Sequence, residues 1–187
     1  IMGLVDTLVV VLFAVMIVGF PTLTYNGLIN KRNSCDAAWA SVDTQLQRRH
    51  DLIPNVVAVT KNAMDHERGT LESVVRLRDA ALSSPSGSAR RMAAEDQLTG
   101  ALGQLVGRWE SYPELRANEN ALHLQRLLTE VESQLSASRR TFNSTVERYN
   151  NSVDSFPSSL IANMGGFVRR DWFQASDSAR PVPDVRQ

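Results

Sequence analysis

Residues 124–156 read LQRLLTEVESQLSASRRTFNSTVERYNNSVDSF, and the spacing of the apolar side chains in this run decides the fold class. Leu124, Leu128, Val131, Leu135, Ser138, Phe142, Val146, Tyr149, Val153 and Phe156 follow one another almost entirely by alternating fours and threes, with Ser138 the one small polar member. An α-helix completes a turn in about 3.6 residues, so these side chains share one stripe while the polar residues between them face water. A stripe of this length is the seam of a helical bundle or coiled coil. Pro157 closes it, since proline supplies no backbone donor.

Working upstream, Tyr112-Pro113 ends one helix and begins the next, because the first turn of a helix tolerates a missing N–H. The seam helix is therefore expected over 113–156. Before it, Met92, Leu98, Leu102, Leu105, Val106 and Trp109 share a face and predict a helix over 89–111. The polar run Ser83-Ser84-Pro85-Ser86-Gly87-Ser88 reads as a loop. Ile53, Val57, Thr60, Met64, Leu71, Val74, Arg78 and Ala81 stay in phase across Gly69 and predict a helix over 52–82. The alternative layout breaks this helix at His66-Glu67, because Gly69 weakens helix by about 1 kcal/mol; it gives a longer first helix and a short second one.

Ile29, Cys35, Trp39, Val42 and Leu46 predict a helix over 24–50. The next core position in that series falls on Arg49 or His50. With the apolar stripe interrupted there, Asp51-Leu52-Ile53-Pro54 reads as a corner, Asp51 capping the next helix and Pro54 sitting in its first turn. No strand-like alternation and no internal repeat competes. The expected fold is all-α: four helices joined by short corners as an up-down four-helix bundle over 22–157.

In front of the bundle, residues 3–20 (GLVDTLVVVLFAVMIVGF) approach the ~20 apolar residues that a spanning helix needs, with Asp6 the one charge. Asp6 lies in the first turns, where it reaches the headgroups. No Lys or Arg precedes the segment and no small-x-small cleavage site follows it, so an uncleaved anchor over 1–21 is expected rather than a removed signal peptide. Lys31 and Arg32 follow within the window that governs orientation, which places the amino terminus outside and the body in the cytoplasm. Pro21 is expected to end or kink the anchor.

The 20 Lys and Arg balance 20 Asp and Glu, so no net field recruits nucleic acid. A single cysteine, Cys35, excludes an internal disulfide framework and fits a reducing compartment; the plain reading is a small buried side chain. His66-Glu67 opens like a zinc-hydrolase helix, but Thr70 stands where the second histidine of HExxH belongs, and neither His50 nor His123 lies at ligand spacing. No metal and no cofactor is expected. Neither a G-x-S-x-G elbow nor a phosphate loop is present, so no catalytic residues are assigned. Asn143-Ser144-Thr145 and Asn150-Asn151-Ser152 match the glycosylation pattern on a predicted helix, which chance explains.

Polar residues cluster where corners are expected: Arg48, Arg49, His50 and Asp51; Asn118, Glu119 and Asn120; Arg139 and Arg140 with Asn143. Capping and salt bridges are the plain reading; a protein-docking surface is the functional one, since interface arginines cover apolar surface and hold carboxylates. Residues 158–187 form a tail. In an up-down bundle its aromatic and basic segment, with Phe167, Arg169, Arg170, Trp172 and Phe173, comes back toward the headgroups; the alternative packs it on the bundle flank or a neighbouring subunit.

At these segments the chain resembles the LemA family of bacterial inner-membrane proteins. The likeness rests on YNGLINKRN (25–33), AWASVDTQLQRRHDLIPN (38–55), HERGTLESV (66–74), YPELRANEN (112–120), SRRTFNSTVERYN (138–150) and FPSSLIA (156–162), in that order. It departs at Ala121, where the family often has phenylalanine, and at Pro181-Val182-Pro183-Asp184-Val185, which matches only loosely. The resemblance implies one amino-terminal membrane helix, a small external amino terminus, a cytoplasmic four-helix bundle and no established enzymatic activity. It also implies possible company: some members are linked to magnetosome formation, and others are encoded beside membrane metalloproteases or other envelope proteins.

The expected function is a non-enzymatic scaffold or adaptor in the bacterial inner membrane, with the lipid bilayer, other membrane proteins such as a membrane metalloprotease, and its own copies as partners. A proline-containing polar tail stays ordered only when tied down; neighbouring copies supply the tie, and a symmetric ring is the natural closed homo-oligomer. The alternative is a membrane-bound sensor holding a small molecule or lipid between helices.

Overall fold

A computed structural model describes residues 2–63 and 68–173 of the chain. The regular structure among the described residues is helical throughout: α1 (Met2–Ala63), α2 (Arg68–Leu82), α3 (Ala89–Trp109), α4 (Pro113–Arg116), α5 (Glu119–Asp154) and α6 (Ser158–Met164). Met64, His66, Glu67 and the end of the tail, including 181–185, lie outside the described residues.

The all-α class holds, but the helix boundaries differ from those expected. Helices over 24–50 and 52–82, separated by a corner, are replaced by α1, which continues through both Pro21 and Pro54 to Ala63. At Pro54 the lost hydrogen bond and ring clash cost about 3 kcal/mol or more. Ile53 and Val56, both fully buried, recover about 1.5–3 kcal/mol each when the helix holds its register. Asp51 caps nothing; its carboxylate accepts from Gln47 Nε2 at 2.8 Å along the same helix. Beside Pro21 the Thr22 hydroxyl donates to the Val18 carbonyl at 2.7 Å within the same helix. α2 begins at Arg68, so the layout with a long first helix and a short second one is the observed one.

The helix expected over 113–156 is two elements. α4 is a single turn, and α5 begins afresh at Glu119 because Asn118 Oδ1 accepts from the backbone of Asn120 at 2.9 Å and of Ala121 at 3.2 Å, the signature of a side-chain N-cap. Beyond Pro157, part of the supposed tail is the short helix α6. Phe156, the last member of the seam pattern, lies past the end of α5 and faces solvent.

The described residues form two compact units, one from 2–38 and 142–170, the other from 39–63, 68–141 and 171–173. In the second, Ile53, Val56, Leu71, Val74, Leu98, Leu102, Leu105, Trp109, Leu115, Leu124 and Leu128 make one apolar core with side chains from α1 to α5. α2 and α3 pack on each other across the 83–88 turn, where Ser88 caps α3 by accepting from Arg91 N at 3.1 Å. In the first unit Leu28, Cys35, Val146, Tyr149 and Ala162 are buried, and Cys35 is the small interior side chain expected of it.

Candidate functional site

In the second unit the α1 stripe does not end at the position where apolar residues give out. Arg49 and His50 continue it inward, 0% and 1% exposed, and meet Glu95 of α3, also 0% exposed. Arg49 Nη2 pairs with Glu95 Oε2 and donates to the Glu95 carbonyl at 3.2 Å. Its Nη1 donates to Thr99 Oγ1 at 2.5 Å and to Glu132 Oε1 of α5 at 2.8 Å. His50 Nε2 lies 3.3 Å from Glu95 Oε2 and 3.1 Å from Oε1; an ionised carboxylate can only accept, which assigns the proton of this contact to Nε2. Burial pushes the Glu95 carboxyl up, but the His50 hydrogen bond and the Arg49 charge outweigh it and hold it below the ordinary carboxylate range. A carboxylate kept ionised and sealed in this way neutralises charge; it is not poised to donate a proton.

A second pair flanks the first. Arg139 Nη1 donates to Asp96 Oδ1 at 2.6 Å. Burial raises the Asp96 carboxyl against the pull of Arg139, and lowers the Arg139 guanidinium against the pull of Asp96. The Arg139 guanidinium also sits 4.4 Å above the Phe173 ring, which stacks on Trp39 with centroids 5.8 Å apart. Arg91 Nη2 reaches Asp43 Oδ1 at 2.8 Å.

In the first unit the extended chain after α6 is clasped by α5. Tyr149 Oη donates to the Val168 carbonyl at 2.9 Å; Asn150 Nδ2 donates to the Arg170 carbonyl at 2.9 Å and its Oδ1 accepts from Arg170 N at 2.9 Å. One amide side chain thus replaces a neighbouring strand. Phe167 packs edge-on to Tyr25 at 5.4 Å, with the Arg32 guanidinium 5.4 Å over its ring. Arg170 pairs with Asp36 at 2.6 Å and Arg169 with Asp154 at 2.8 Å. Burial pushes both the Tyr149 hydroxyl and the Cys35 thiol above their ordinary ranges.

One expectation needs correcting here. Arg49 was expected on a docking surface and is inside, where Glu95, Glu132 and Thr99 accept from its two Nη groups and its Nε has no hydrogen-bond partner among the described residues. Of the tail residues expected at the headgroups, or on the bundle flank or a neighbouring subunit, Phe167 and Phe173 are buried within the units that hold them, and Trp172 is exposed. Of the remaining expected surface residues, Arg48, Asp51, Asn118, Glu119, Asn120 and Arg140 are exposed, while Arg139 and Asn143 are half-buried. Asn118 serves as the α5 cap. Sequence reasoning missed Glu95. The available signal was its place three residues after Met92 and three before Leu98, a carboxylate in a core slot of α3 to match the basic interruption in α1.

These features define an all-helical protein with an apolar amino-terminal helix and an internally neutralised body. The chain belongs to the LemA family, whose profile matches residues 38–186. It is similar to the magnetosome protein MamQ 2 of Paramagnetospirillum magneticum, 25% identical over 205 residues that cover 95% of this chain and 75% of that protein. It is also similar to the magnetosome protein MamQ of Magnetospirillum gryphiswaldense, 24% identical over 193 residues, covering 88% and 71%.

Proposed function

We propose that the chain is a membrane-anchored, non-enzymatic scaffold or adaptor, held in the bacterial inner membrane by the start of α1 with its body in the cytoplasm. The observation that carries this reading is the exposure of Leu8, Leu12, Phe13, Met16 and Ile17 on a helix that continues without a break to the buried Leu28 and Cys35. Such an apolar surface is stable in lipid and not in water. Lys31 and Arg32 support the cytoplasmic side. The body self-associates, in a ring as the closed form, and offers Arg48, Asp51, Glu119, Asn120 and Arg140 to other envelope proteins. Crosslinking and mass spectrometry in native membranes, with native size measured in detergent, test this. Self-links and partner links through those residues are expected; a clean monomer without neighbours refutes the scaffold.

A second reading, a sensor, is favoured by an open groove of about 760 Å³ lined by Val57, Leu71 and Val75, with Lys61, Arg68 and Arg76 and the carboxylates Glu72 and Asp79 around it. Its mixture of apolar and charged lining suits an amphipathic small molecule or lipid. Native mass spectrometry that finds such a molecule retained, and lost in Arg76→Glu, supports this reading.

A further inference from the structure

We propose that α6 and the residues on either side of it are a second membrane contact, lying in the headgroup region beside the point where α1 leaves the bilayer. The proposal rests on the reading that the apolar start of α1 crosses the membrane.

α6 is tied to the end of α5 by the Ser158 hydroxyl, which lies 2.6 Å from the Ser152 carbonyl and 2.8 Å from that of Ser155. It turns Ala162 inward. Leu160 and Met164, one turn apart on α6, are left 56% and 87% exposed, and Phe156 just before the helix and Val168 in the extended chain after it are 81% and 73% exposed. Large apolar side chains grouped in this way mark a surface that meets something other than water.

The position of α6 says what that is. Ile161, Met164 and Gly165 share a cleft of about 360 Å³ with Pro21, Thr22 and Tyr25, where the apolar stretch of α1 gives way to polar residues. The contact is built for closeness: a Cβ on Gly165 would stand 2.7 Å from the Phe167 ring and 3.0 Å from the Tyr25 ring. The exposed Met164 therefore adjoins α1 at the end of its exposed apolar stretch, and this adjacency to the anchor selects lipid over a second copy of the chain. Nearby cations complete an interfacial pattern. Arg32 lies over Phe167, and Lys31 Nζ bonds the Ser152 hydroxyl at the α5 end that carries α6. Apolar side chains beside basic ones settle at the boundary of an anionic leaflet.

The test uses the full chain in nanodiscs containing phosphatidylglycerol and doxyl-labelled lipid. Met164→Cys carries an environment-sensitive fluorophore, as does Leu12→Cys in α1 and Ser133→Cys on the exposed face of α5. Cys35 is fully buried and stays unlabelled. Shallow-doxyl lipid is expected to quench the Met164 probe, deep-doxyl lipid the Leu12 probe, and neither the Ser133 probe. Adding Leu160→Glu, an exposed change that leaves the interior intact, is expected to red-shift the Met164 probe and reduce its quenching. Quenching at Leu12 without quenching at Met164 overturns the α6 contact while the anchor stands; quenching at neither overturns both. A Met164→Cys disulfide between copies, with no quenching, assigns the face to a second copy and also overturns the proposal.

Discussion

Arg49 of α1 and Glu95 of α3 form an ion pair in which neither side chain touches solvent. Taking both charges out of water costs several kcal/mol per ion, and further partners around the pair offset part of that cost. Glu132 and Thr99 add partners for the Arg49 Nη groups and His50 adds one for Glu95, while Arg49 Nε stays buried without a hydrogen-bond partner among the described residues. Because each partner stands at one height on its own helix, sliding α1 against α3 would strand a charge. The pair fixes their alignment as apolar contacts alone do not.

Removing one partner is therefore expected to cost far more than removing both. Glu95→Leu leaves a buried guanidinium with Glu132 as its one carboxylate and should destabilise the body by about 3–5 kcal/mol. Arg49→Met combined with Glu95→Leu should recover most of that loss. Denaturant unfolding of the full chain in detergent measures both; a double variant as unstable as the single one refutes the account.

Acid sensitivity follows from the direction of the Glu95 shift. Its folded value is depressed, so its contribution is present above the unfolded carboxylate range, about 4.3, and is lost as pH falls from there through the folded value. Asp96 is raised and has the opposite sign: its share of stability grows as pH falls through its folded value. Unfolding curves from neutral pH downward should show Glu95→Gln with a shallower acid loss than the unaltered chain, and Asp96→Asn with a steeper one.

Asn150 holds the chain after α6 through two bonds to the Arg170 backbone. Asn150→Ala leaves those backbone groups without their partner and is expected to cost about 1–3 kcal/mol. Release of the segment should show as faster tryptic cleavage at Arg169 and Arg170. Unchanged cleavage would mean that the Phe167 packing alone secures it.

Gly165 is fixed by space, not by backbone angle. Gly165→Ala pushes a methyl group into the Phe167 and Tyr25 rings and should cost about 1–3 kcal/mol of overpacking strain. Gly103, which has no neighbour within reach of a Cβ, is the control: Gly103→Ala in α3 should stabilise by about 0.4–1 kcal/mol. Thermal unfolding of the two variants decides.

Much of the fold could be read from spacing. The seam residues Leu124, Leu128, Val131, Leu135, Phe142, Val146, Tyr149 and Val153 are all buried, as are Val42 and Leu46 of α1 and Leu98, Leu102 and Leu105 of α3. The corner at Asp51 and Pro54 was misread for a definable reason. A basic pair in a core slot looks like the end of a stripe when its partner is distant in sequence, and Glu95 is 46 residues from Arg49. The α5 start was missed because Asn118 reads equally as a surface residue or a cap until the backbone shows which amides it meets.

The sequence by itself determined helix type, the apolar stripes, the lipid-compatible opening stretch and the family, because these depend on the period and composition of neighbouring residues. Tertiary structure alone decided which polar residues are interior, how the chain after α6 is held, and which face of α6 is left apolar and exposed. Each of those depends on a partner brought from a remote part of the chain, and local spacing carries no record of it.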